Sequence, residues 1–174
     1  MPGLSAFPIT ARWPARHPDR LQLYSLSTPN GVKVSIMLEE IGLPYEPHLI
    51  DFGKNEQQTP EFLSLNSNGK IPAIIDPNGP NGAPLGLFES GAILIYLADK
   101  TKKFIPQDLR GRSAAIEWLF WQMANLGPNS GQNNHFNNYA VEKIPYAMDS
   151  YRNEVNRLYG VLNGRLGERE YLAG

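Results

Sequence analysis

Three short stretches hold the groups most able to do chemistry. Ser27-Thr28-Pro29-Asn30-Gly31 places two hydroxyls and an amide at a turn that enters a helix. Such donors suit a developing anion, although Asn30 is also a residue that caps a helix with no ligand at all. Lys70-Ile71-Pro72-Ala73 sets a proline at the mouth of an apolar strand. Proline cannot donate to a sheet ladder, so Pro72 belongs at the strand's opening, in a turn that admits a cis peptide bond. That bend leaves the N–H and C=O of Ile71 unpaired by the sheet and open to a ligand backbone. Glu89-Ser90-Gly91 opens a helix, where Ser90 is expected to cap and the first-turn N–H groups face an anion.

The residues that are missing narrow the chemistry further. The chain of 174 residues has no cysteine, so it offers neither a disulfide framework nor a thiol nucleophile, and reactive sulfur must arrive on a ligand. Three scattered histidines without HxxH spacing or a carboxylate cluster argue against a metal. No Walker A or GxGxxG pattern supports a nucleotide. A formal net charge of −1 gives no reason to bind nucleic acid or an anionic membrane. The apolar run 92–98 is too short to span a bilayer, and the arginines of 12–20 lack a following apolar region, so a cytoplasmic protein is expected.

Elements to position these groups follow from periodicity. Residues 1–20, with four prolines, three arginines and no period, are expected as an extended arm, solvated or draped over the body. Alternation over 21–25 predicts a strand, and apolar spacing over 32–41 a helix ended by Gly42 and Pro44. A strand over 45–50 follows one crossover helix and should run parallel to the first. A short helix from Thr59-Pro60 to Asn66, the strand at Ile71–Ile75, a Pro/Gly-rich hairpin over 76–84 and a return strand over 85–88 complete the set. This order is that of an α/β thioredoxin-like domain over 21–104. Tyr24 lies inside the first strand and reads as core. Strand signals vanish after Gln107. A helix over 113–126 should break at Gly127-Pro128, an Asn-rich loop should follow, and Pro145 should start a long helix whose apolar face is Val155, Leu158, Leu162 and Leu166.

The Thr28-Pro29-Asn30-Gly31 run, Pro60-Glu61-Phe62, Lys70-Ile71-Pro72-Ala73, Leu87-Phe88-Glu89-Ser90-Gly91 and Trp118-Leu119-Phe120-Trp121 occur in an order that resembles the glutathione transferases. Within them the chain is similar to the bacterial Nu class and its yeast and fungal relatives, the group of the nitrogen-regulator prion domain. The resemblance implies a glutathione-binding first domain and an all-α second domain over 107–174 that walls the acceptor site. Members normally carry several more helices, so the helical part is expected to be incomplete.

The resemblance also implies roles. Glutathione would bind as one or two molecules per site, or as its disulfide. Its extended cysteinyl part would pair with Ile71 beside Pro72, Glu89 would take the γ-glutamyl ammonium, and Ser90 its carboxylate. Gln57, Lys70 and Lys54 would serve the glycyl carboxylate, although the lysines read equally as surface charges. Thr28 and Asn30 match the catalytic pattern of the Nu class. A free thiol has a pKa near ~8.5, and two well-aimed donors could lower it by about 1–2 units. His135, Phe136, Tyr151 and Arg152, with Asn133, Asn134 and Asn138, would line the acceptor site. Read from the residues alone, His135 is a structural histidine and the Asn-rich stretch a loop. The implied activity is glutathione-dependent disulfide reduction, with organic-peroxide reduction and weak conjugation, by a homodimer acting on small thiols and disulfides. A non-catalytic glutathione-binding or regulatory module is the alternative.

Overall fold

A computed structural model describes residues 3–173, which divide into two compact units with the boundary between residues 103 and 104. The first holds a mixed four-stranded sheet in the order β2-β1-β3-β4. Strand β1 (Leu21–Ser25) pairs in parallel with β2 (Tyr45–Leu49), and helix α2 (Pro29–Ile41) makes the crossover. Strand β3 (Ala73–Asp76) runs antiparallel to both β1 and β4 (Leu85–Phe88), and helix α4 (Ser90–Thr101) follows. Helix α3 (Pro60–Leu65) precedes β3. This is the thioredoxin-like arrangement that the periodicity predicts. β2 is an edge strand and tolerates Pro47 there, because that edge lacks a partner for its N–H.

Residues 3–20 are not an extended, solvated arm. They form a 3-10 turn at Leu4–Ala6 and the short helix α1 (Ile9–Arg12). Ile9 is fully buried, in one cluster with Tyr24, Ile50, Phe62, Leu65, Ile71, Ala73 and Ile75, and Leu4, Phe7 and Trp13 pack against it. A four-residue helix flanked by prolines leaves too short a run for a period to show. Salt and hydrogen bonds fix the segment further. Arg12 meets Glu56 at 3.2 Å, and the other carboxylate oxygen of Glu56 accepts from the Asp51 N–H. The Arg16 and His17 N–H groups donate to the two oxygens of Glu46 at 2.9 and 2.7 Å.

A polar network lies beneath that segment. Gln22, fully buried, donates to the carbonyls of His17 and Arg20 and accepts at 2.7 Å from His48, whose ring stacks on Tyr24. Burial pushes the His48 imidazole below its ordinary value of 6.5, Glu46 opposing in part. Burial also raises the Glu46 carboxyl, but the two backbone donors outweigh it and leave it below the ordinary range. Both groups have folded values below their unfolded ones, so each lends stability that is full above its unfolded value and drains as the pH falls. We expect the melting temperature to be level above pH 6.5, the ordinary His48 value, and to fall below it. His48→Gln should flatten the first part of that fall, and an equal slope in the variant would disprove the assignment.

The second unit is helical. Helix α5 (Leu109–Trp121) runs without interruption through a π-helical segment (Gln122–Leu126), helix α6 (Gly127–Asn134) and a second π-helical segment (His135–Tyr139). Gly127-Pro128 therefore does not break the helix. The Gly127 N–H reaches back five residues to the Gln122 carbonyl, and this wider turn accommodates the proline. The Asn-rich stretch is helical for the same reason, not a loop. Helix α7 (Pro145–Leu166) begins at its proline as expected. Val155 and Leu158 are buried, Leu162 is half-buried and Leu166 is exposed. Trp118 and Trp121 are half-buried and meet edge to face, with Arg165 over Trp118.

Candidate functional site

Tyr24, Ala73 and Phe88 lie side by side across β1, β3 and β4. One step beyond this row, the chain supplies three things at the same end of the sheet. They are the turn from β1 into α2, the cis Ile71-Pro72 bond ahead of β3, and Glu89-Ser90 after β4. The sequence-predicted site residues of the first unit thus converge because the sheet register brings them together.

At the β1–α2 turn, Thr28 is the N-cap, and its hydroxyl oxygen accepts from the Gly31 N–H at 3.2 Å. Asn30 is the second helical residue and not the cap; its side chain is exposed and makes no hydrogen bond among the described residues. Thr28 thus takes the capping role, and the Asn30 amide stays uncommitted among the described residues. Gly31 is required: a Cβ there would stand 2.1 Å from the Leu26 carbonyl oxygen, so only glycine lets the helix start so close to β1.

Ile71 is buried, precedes the ladder residues of β3 and makes no backbone hydrogen bond among the described residues. A turn over 66–70 presents it. Asn66, nearly fully buried, accepts from the Asn68 N–H and donates to the Lys70 carbonyl, while its own carbonyl accepts from the Gly69 N–H. Gly69 has φ +63°, and its carbonyl accepts from Gln58 at 3.2 Å. That bond ties the Lys70-Ile71 turn to the segment carrying Gln57. The Gln57 amide nitrogen donates to Asn55, and its oxygen is buried with no partner among the described residues. The Lys70 side chain is exposed, and Lys54 is held by Asp51 at 3.2 Å.

Ser90 is not the cap of α4. Glu89 takes that position, with φ +71° and ψ +114°, no side-chain cap bond and an exposed carboxylate, while Ser90 is the first helical residue and buried. A non-glycine residue held at positive φ stores strain of about 1–3 kcal/mol, which concentrates at functional sites. Lys33, one turn into α2, is half-buried; burial pushes its ammonium below the ordinary value and the Glu89 charge opposes that. Tyr24, proposed as core, is fully buried, and burial with the nearby Glu46 charge raises its phenol well above the ordinary value, which keeps it protonated.

In the second unit the structure brings the remaining candidates together. Phe136 stacks on Tyr151 with centroids 5.5 Å apart, and His135 meets Phe136 edge-on at 5.3 Å. Arg152 donates to Asp149 at 2.8 Å and to Asn137 at 3.4 Å. Asn134 accepts from Asn138, and Asn133 from Asn137.

A family model described as the glutathione S-transferase N-terminal domain matches residues 19–99. The disulfide-bond oxidoreductase YfcG of Escherichia coli is 50% identical over 155 residues, 88% of this chain and 72% of that protein. A glutathione transferase of Burkholderia graminis, solved with two glutathione molecules per subunit, superposes with a TM-score of 0.97 at 64% identity over 98% of this chain and 72% of that one. The chain belongs to the glutathione transferase family. A second transferase, from Pseudomonas putida and holding one glutathione disulfide per subunit, gives a TM-score of 0.96 at 55% identity, covering 99% of this chain and 76% of that one.

Three residues of this transferase escaped the sequence reading. Asn66 and Gln58 shape the turn that carries Ile71, and the half-buried Lys33 feels the Glu89 charge. The Asn66-Ser67-Asn68-Gly69 run is a turn signal that could have disclosed Asn66. Nothing local marks Gln58 or Lys33, because their partners are distant in sequence. Among the described residues no group of His, Cys, Asp and Glu could hold a metal, and no helix is long and apolar enough to cross a membrane.

Proposed function

We propose that this chain is a glutathione-dependent disulfide reductase of the Nu class. The observation that carries the reading is the convergence at one sheet end of an uncommitted Asn30 amide, an unladdered Ile71 backbone and the Glu89-Ser90 pair. Ile71 offers an N–H and a C=O to the cysteinyl peptide groups, as an added strand would use them. The uncapped N–H groups of α4 suit the γ-glutamyl carboxylate, and Glu89 suits its ammonium. Gln57 and Lys70 lie beside the turn toward the glycyl end, where the Lys70 ammonium suits the carboxylate and the Gln57 oxygen, unpartnered among the described residues, suits the glycyl N–H.

Thr28 and Asn30, at the start of α2, stabilise the thiolate. That thiolate attacks one sulfur of a disulfide, a mixed disulfide forms and the other sulfur leaves as a thiol after taking a proton. A second glutathione thiolate then attacks the glutathione sulfur, releasing the second thiol and glutathione disulfide. Two glutathiones are oxidised and one disulfide is reduced, with no cysteine of the chain involved. The same thiolate can attack a peroxide oxygen or an electrophilic carbon, giving organic-peroxide reduction and weak conjugation. His135, Phe136, Tyr151 and Arg152 form the acceptor side; their mutual packing supports that role. Homodimer formation in the cytoplasm completes the proposal, and sedimentation at micromolar protein tests the dimer.

Calorimetry with reduced and oxidised glutathione, paired with turnover of a small symmetrical disulfide, tests the function. Saturable binding with turnover is expected. Binding without turnover would favour the regulatory module, and no binding would remove the site.

A further inference from the structure

Away from that site, α1 and residues 13–20 wall a cleft of about 580 Å³ against β2. Its lining is strongly one-signed. Arg12, Arg16, His17 and Arg20 face Glu46 as the only carboxylate. Both Glu46 oxygens are already filled by the Arg16 and His17 N–H groups, so Glu46 has little capacity left to neutralise the arginines. Arg12 is shared between Glu56 at 3.2 Å and the Trp13 ring at 5.1 Å. Arg16 and Arg20 make no ion pair and no side-chain hydrogen bond among the described residues. Asp19, the other acid of the segment, lines a separate recess that Arg20 also borders.

Tyr24 lies behind the lining and is not part of it. Tyr24 stacks on His48 at 4.6 Å and meets Trp13 at 6.3 Å, both of them lining residues. Its hydroxyl is buried and has no partner among the described residues. What marks the cleft for a ligand is therefore its one-signed lining and the Arg16 and Arg20 guanidinium groups, unpaired among the described residues. The volume lies within the range of small-molecule sites, above what one phosphate fills and far below a protein contact.

We propose that this cleft is a second binding site, for a small polyanion bearing two or more phosphate or carboxylate groups, held by Arg16 and Arg20. The two guanidinium groups offer planar, bidentate recognition of either oxyanion. The proposal is independent of the glutathione reading, since none of the residues assigned to glutathione lines the cleft.

Titration calorimetry with pyrophosphate and with citrate, at low ionic strength and at about 0.15 M salt, tests it. One saturable event per chain is expected, weakened by salt. The Arg16→Gln/Arg20→Gln pair should lower affinity at least ~10-fold, because each guanidinium makes charge-assisted hydrogen bonds. Arg110→Gln/Arg169→Gln removes the same charge from exposed positions outside the cleft and should leave affinity unchanged. Glutathione binding should be unaltered in both pairs. Pyrophosphate binding alone would assign a phosphate ester, citrate alone a polycarboxylate, and either supports the site. No saturable binding of either probe, or binding equally lowered by both pairs, overturns it.

Discussion

Asn30→Ala is expected to lower glutathione-dependent disulfide reduction roughly 8- to 25-fold while changing stability by less than ~0.5 kcal/mol. The two halves of this expectation rest on different facts. The stability half follows from the side chain's exposure and its lack of any hydrogen bond among the described residues. Thr28, not Asn30, caps α2, so a Thr28→Ala change should instead cost about 1 kcal/mol through the lost cap. The activity half follows from the thiol. If Asn30 donates to the thiolate, removing it returns the pKa toward the free value by about 1–2 units, which lowers the thiolate fraction roughly 8- to 25-fold at neutral pH because that fraction saturates as the pKa drops below about 7. The pH–rate profile supplies the control. Activity of Asn30→Ala should climb back toward wild type as the pH approaches ~8.5, where a free thiol ionises unaided. A variant uniformly slow at every pH would move Asn30 from thiolate stabilisation to binding, and unchanged turnover would remove it from the site.

The parts of this fold that local sequence discloses are those whose cause is local. β1 alternates, α2 has a clear apolar spacing ended by Gly42, and a Pro/Gly-rich loop announces the β3–β4 hairpin. The bend at Ile71-Pro72 and the helix start at Glu89-Ser90 were legible because proline chemistry and a helix start constrain those positions directly. Even so, Ser90 was taken for the cap that Glu89 occupies, because cap preference says nothing of a glutamate held at φ +71°. The failures share a different cause. Gly127-Pro128 carries every local mark of a break, yet a five-residue back-reach at Gly127 absorbs the proline, and the choice between break and wide turn is made by packing. Gln58 and Glu46 act on partners far along the chain, where no short window reaches.

Ile9→Ala should destabilise the first unit by about 2–4 kcal/mol, the range for truncating a fully buried isoleucine. For a unit of this size that corresponds to a fall in Tm of roughly 10 °C or more. A solvated arm would predict no change at all, so the measurement separates the two readings cleanly. Leu109→Ala, at a residue 82% exposed, is the matched control and should shift stability by less than ~0.5 kcal/mol. The effect should also reach the ligand. Ile9 shares one buried cluster with Phe62 and Leu65 of α3 and with Ile71 itself, and Asn66 follows directly at the end of α3 to shape the turn presenting Ile71. A cavity at Ile9 loosens that support from beneath. Glutathione affinity should therefore weaken several-fold in Ile9→Ala, while the pH dependence of turnover stays that of wild type because Thr28 and Asn30 are not in the cluster. A shifted pH profile would mean that the damage spreads to α2, and an unchanged melt would mean that the packing of residues 3–20 contributes nothing to the fold in solution.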